Sequence, residues 1–166
     1  QTWDDDLIVA RQIADSLKKE LKTAQGDKRI DCLNLLSATY GWIWDDNIKH
    51  FDSACMYTDQ AYELAKKSSY KRGLGYAILG KAGCYSGRAD ENRDNNNTET
   101  NYLEAEKWAQ QAIQIGEEIK DYRLVGDVYN GLKWMERWKG DDKKFRTYLE
   151  KAIYNYEKPV NKKIIG

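Results

Sequence analysis

At 166 residues the chain is long enough for one domain, or one compact array, with a real core. Its 27 Lys and Arg balance 27 Asp and Glu, so it lacks the basic footprint of a nucleic-acid binder. With 33% charged residues and a mean hydropathy of −0.86 it has a wet surface, and no apolar run nears the roughly 18 residues of a membrane span.

A single Pro favours helix throughout, because an interior Pro costs a helix about 3 kcal/mol. Periodicity predicts seven helices in chain order. The first covers about 3–24, with Leu7, Ile13, Leu17 and Leu21 inward, and the GDK that follows is a cap-and-turn signal. The second covers about 28–44, with Ile30, Leu33, Leu36 and Tyr40 on one face. The third covers about 50–68, the fourth 70–87, the fifth 100–119, the sixth 122–139 and the seventh 143–157, before Pro159. No segment alternates as a half-buried strand would, so the fold class is all-α.

In YLEAEKWAQQAIQI the small residues Ala105, Ala109 and Ala112 fall on one helical stripe, where a neighbouring helix approaches closely. The pattern recurs: Ala54, Tyr57 and Ala61 match Ala105, Trp108 and Ala112, and Phe145, Tyr148 and Ala152 match again. The preceding helices match as well. YAILGKAGCYSG aligns with YNGLKWMERWKG, pairing Tyr76 with Tyr129, Tyr85 with Trp138 and Gly87 with Gly140. Self-similar helix pairs mark a helical repeat array.

On these residues the chain resembles the tetratricopeptide repeat family, whose unit is a helix–turn–helix of about 34 residues. Leu79-Gly80 matches the Leu-Gly pair of that family's first helix, and the paired alanines match its second. The resemblance implies a right-handed solenoid of helical hairpins. It divides the chain into a leading helix (1–27), repeats at 28–68, 69–120 and 121–159, and a tail (160–166). Tyr-rich repeats joined by AKKSSYKRGLGYA resemble arrays that precede signalling domains in Bacteroidetes-type bacteria, as sensing regions of larger proteins.

The repeats are unequal. From Lys133 to Phe145 is 12 positions, but from Gly80 to Ala105 is 25, an excess that equals the segment 89–101. Within it Asp90, Asn92 and Asp94 alternate like the opening of a calcium loop. Asn95 stands where such a loop wants Gly, and Asn101 where it wants a bidentate Glu, so a polar loop is the better reading. The three cysteines, Cys32, Cys55 and Cys84, form no CxxC. They argue against a disulfide framework, leave room for one bridge, and read best as small buried hydrophobes.

No catalytic constellation is legible. His50 is the single imidazole and reads as a solvated or capping residue. The sequence contains no P-loop, GxGxxG or GxSxG. The glycines of RGLGYAILG read as room for neighbouring helices, and Asp45-Asp46 and Asp141-Asp142 as N-caps. No cofactor and no metal are expected, and the chain is read as non-enzymatic.

The resemblance implies a concave groove lined by the first helix of each pair. Its positions are Asp31, Asn34, Ala38 and Trp42, then Ala77, Lys81, Cys84 and Tyr85, then Asp127, Asn130, Trp134, Arg137 and Trp138. Asn34 and Asn130 share a repeat position, where an amide suits an extended peptide backbone. The family's clamp for a chaperone's C-terminal carboxylate is not expected, because Asn34 and Ala38 occupy two of its sites. The leading expectation is a scaffold that binds a protein or peptide, without nucleic acid or membrane insertion. The alternatives are a self-association module forming a homo-oligomer and, behind it, a small-ligand or enzyme domain. The start at Gln1 without Met and the closing KKIIG read as a processed or partial chain, with an exported, periplasmic setting slightly favoured over a cytoplasmic one.

Overall fold

A computed structural model describes residues 3–42, 48–91 and 97–160. Among them are seven helices and no strand: α1 (Trp3–Leu21), α2 (Gly26–Trp42), α3 (Ile48–Lys66), α4 (Lys71–Glu91), α5 (Thr98–Ile119), α6 (Tyr122–Lys139) and α7 (Asp142–Tyr156). Each helix packs on the next in sequence, and α2 also packs on α4, and α4 on α6. No helix of the described residues is long and apolar enough to cross a membrane.

The turns follow from side-chain chemistry. Lys120 and Gly140 each adopt a left-handed conformation (φ 57° and 81°) that ends α5 and α6, and each is followed by an Asp. The Asp121 carboxylate accepts from the Leu124 amide at 3.1 Å, and Asp141 from the Lys144 amide at 2.9 Å. Each satisfies an N–H that the first turn of a helix leaves unpaired, worth about 1 kcal/mol apiece. Asp141 is thus the N-cap its sequence announces, whereas Asp45 and Asp46 lie outside the described residues.

The alanine stripe marks close helix crossings. Ala105, Ala109 and Ala112 are buried, as are their counterparts Ala54, Ala61 and Ala152. Gly73, Gly75 and Gly80 of α4 serve the same purpose. A Cβ on Gly75 would stand 2.5 Å from Leu124 Cδ2, and one on Gly80 2.7 Å from Thr58 Oγ1. Thr58, wholly buried, shares a 2.6 Å hydrogen bond with Ser37, which ties α3 to α2. The larger core gathers Ile78, Ile113, Leu124, Val125, Val128, Leu132 and Met135 between α4, α5 and α6. Tyr62 and Trp108 meet edge to face at its rim, with centroids 5.4 Å apart.

Three expectations need correction. Ile13 does not point inward but is 47% exposed, and Ala14 takes the buried place. Leu21 of the same helix does pack inward, against the cluster around Leu33. Second, α4 does not stop at Gly87, as the match with Gly140 implies, but runs to Glu91. Gly87 abuts the Phe51 ring of α3, so it is a packing glycine and not a cap. The inserted loop is correspondingly shorter than 89–101, with its first residues in α4 and its last in α5. Third, Cys55 and Cys84 are joined in a disulfide between α3 and α4, with Cα atoms 5.7 Å apart, while Cys32 is free and buried. Spacing in the sequence carries no sign of this, because the pairing is made by helix packing.

Candidate partner-binding groove

The packing of α2, α4 and α6 on one another places the predicted groove positions on three adjacent helices. Their fates differ along the helices. Near the N-terminal ends the polar residues are tied into the neighbouring helix. Asp31 accepts the Tyr70 hydroxyl on both oxygens at 2.9 Å. Asn34 donates its amide to the Gly73 carbonyl at 2.9 Å. Asp127 accepts the Tyr156 hydroxyl at 2.8 Å. Arg72, its guanidinium 5.1 Å over the Tyr76 ring, donates to the capping Asp121 at 3.0 Å. The bonds of Asp31, Asn34 and Arg72 link α2 to the start of α4 and α4 to the start of α6, whereas that of Asp127 ties α6 to α7.

Partial burial raises the carboxyls of Asp31 and Asp127, against the opposing pull of the tyrosine hydroxyls that bond them. The hydroxyls respond more strongly. Tyr76 rises well above the usual phenol range through burial and then the nearby Asp121 and Asp127 charges. Tyr156 rises through burial and then its bond to Asp127. A phenol raised above its unfolded value of about 10 contributes stability that is whole below pH 10 and lost as pH climbs through the folded value. An alkaline titration followed at 295 nm should therefore show a group of tyrosines that ionise late, together with loss of helical circular dichroism. Ionisation of all twelve near pH 10 in a folded chain would contradict it.

Further along the helices the picture changes. Ala77 and Cys84 are buried, Cys84 within the disulfide, so neither presents a surface. Lys81 pairs with Asp59 at 2.5 Å and lies 5.5 and 6.0 Å from the Tyr62 and Trp108 rings. Tyr85 packs against the core beneath Arg88, 5.7 Å away. Asn130 accepts from Lys133 at 2.7 Å. Trp134 is 47% exposed, its other side edge-on to Phe145 at 6.2 Å. Arg137 bonds Asp142 at 2.9 Å and lies over Phe145 at 5.6 Å. Trp138 is half-buried and Ala38 exposed. The side chain of Trp42 lies outside the described residues, as do Asn92 and Asp94 of the calcium-loop candidate; Asp90 falls within the last turn of α4.

Sequence reasoning missed the partners Tyr70, Arg72 and Tyr156, and a buried carboxylate. Glu136 is 1% exposed, with Lys139 3.0 Å from Oε1 and Lys144 3.9 Å from Oε2, and Oε2 accepts no hydrogen bond. Lys139 also reaches Glu106 on α5 at 3.0 Å. Helical periodicity would have placed Glu136 beside Leu132 and Met135, on the inner face of α6. His50 lies 5.7 Å from the Tyr40 ring. Among the described residues no three His, Cys, Asp or Glu side chains are grouped to hold a metal ion. Comparison with protein-family models, curated proteins and solved structures finds no match to this chain.

Proposed function

We propose that the chain is a tetratricopeptide-like right-handed solenoid that serves as a non-enzymatic scaffold, binding a peptide or protein segment along α2, α4 and α6. The observation that carries this reading is the division of labour on those helices. Their N-terminal polar residues are spent on inter-helix bonds, while Trp134 and Arg137 remain exposed on α6. Large aromatics and arginine beside a packed backbone are what binding hot spots are made of. The Cys55–Cys84 disulfide supports an oxidising, exported setting, which suits the sensing region of a larger signalling protein.

Extract from the source organism passed over the immobilised domain tests this. The parent should retain a partner that a folded Trp134→Ala/Arg137→Ala/Trp138→Ala variant loses. Equal retention by both would remove the groove from consideration. Self-association is the second reading, favoured by exposed Ile8, Val9 and Ile13 on α1 and by exposed Tyr154, Tyr156 and Val160 at the opposite end. Sedimentation velocity over a hundredfold concentration range separates the two, since a scaffold keeps one mass.

A further inference from the structure

We propose that the α6–α7 corner docks an acidic segment of a partner protein, seating an apolar or aromatic side chain on Trp134 and carboxylates on Lys133, Lys143 and Arg146. The inference rests on the peptide-binding reading above and specifies the chemistry of the peptide.

Charge is its first support. Over the whole chain the formal charge is zero, yet residues 133–147 hold six cations (Lys133, Arg137, Lys139, Lys143, Lys144, Arg146) against three acids (Glu136, Asp141, Asp142). Those acids are already committed. Glu136 is buried against Lys139 and Lys144, Asp141 caps α7, and Asp142 pairs with Arg137. Glu106 of α5 also pairs with Lys139, and Glu150 lies on the adjoining face of α7. Pairing leaves Lys133, Lys143 and Arg146 as the cations of the corner that hold no carboxylate among the described residues, and these would steer and orient an acidic partner.

Geometry is the second. The Lys133 ammonium donates to the neutral Asn130 amide oxygen and stands 4.9 Å from the Trp134 ring. Partial burial lowers its pKa, so an arriving carboxylate would restore what desolvation takes away. Arg137 shows how such a carboxylate sits: the Asp142 side chain, 71% exposed, bonds it at 2.9 Å from the solvent side. A shallow hollow of about 370 Å³ on α7, lined by Asp142, Lys143, Arg146, Thr147 and Glu150, continues the surface from that pair. Between the cations, the exposed face of Trp134, fixed by Phe145, offers a rigid apolar platform.

An array of seven-residue peptides provides the test, with Phe, Trp or Leu at the centre and Glu, Gln or Lys elsewhere, followed by fluorescence anisotropy on the best binder. Peptides flanked by Glu should bind about tenfold or more tighter than their Gln counterparts, an advantage that shrinks with added salt. Lys133→Gln/Arg146→Gln, the first half-buried and the second exposed, should erase that advantage while leaving circular dichroism unchanged. Trp134→Ala should weaken every peptide about thirtyfold. If Gln and Glu peptides bind equally and Trp134→Ala still abolishes both, the acidic preference is overturned and the groove survives. If no peptide binds, both fall. Tighter binding of a short oligothymidylate, or a dimer that Trp134→Ala dissolves, would assign the corner to a nucleic acid or to a second copy and overturn the proposal.

Discussion

Leu124→Ala should cost about 3–4 kcal/mol, and adding Gly75→Ala should return part of that loss. Leu124 is wholly buried where α4, α5 and α6 meet, so truncating it removes apolar contact on three sides and leaves a cavity. Gly75→Ala alone pushes a methyl group to 2.5 Å from Leu124 Cδ2 and 3.2 Å from Ile115 Cγ2. The overpacking costs about 1–3 kcal/mol, less the roughly 1 kcal/mol by which Ala outdoes Gly in a helix. In the double variant the new methyl enters the space that Leu124 vacates. Urea denaturation of the four species should place the double variant about 1–2 kcal/mol above the sum of the singles. Strict additivity would mean that the two positions do not share the space described.

Opening the Cys55–Cys84 bridge should be comparably damaging. It closes a loop of 29 residues, and loop-closure entropy assigns such a link about 3–4 kcal/mol. For a chain of this length that corresponds to a fall in Tm of about 10 °C, measured with and without reductant or in Cys55→Ala/Cys84→Ala. Cys32→Ala is the control, since it touches no bridge, and its Tm should not respond to reductant differently from the parent. Titrating thiols in guanidine should find one per oxidised chain and three after reduction. Three thiols before reduction would dismiss the bridge.

The helices were legible because their signals are local. Leu33 and Leu36 recur at helical spacing and are buried, Asp141 announces a cap, and Ala105, Ala109 and Ala112 mark a crossing. What was illegible depends on pairing across the array. Gly87 and Gly140 align in sequence, but one meets Phe51 and the other turns the chain. Cys55 and Cys84 look unrelated until α3 lies on α4. At the candidate groove Trp134, which the sequence leaves open between groove and core, is exposed on α6, as is Arg137. The repeat register gave no notice that Asp31 and Asp127 would each be claimed by a tyrosine, because those hydroxyls arrive from 39 and 29 residues away.

The bridge between α3 and α4 also limits how far the chain can be drawn out. Held at its two termini and stretched, an oxidised molecule would release its helices yet keep the segment between Cys55 and Cys84 locked out of the path of the force. That withholds about 100 Å of contour at some 3.5 Å per residue, a length that returns when the bond is reduced. A tether built from this array would therefore have two lengths at full extension, selected by the redox state of its surroundings.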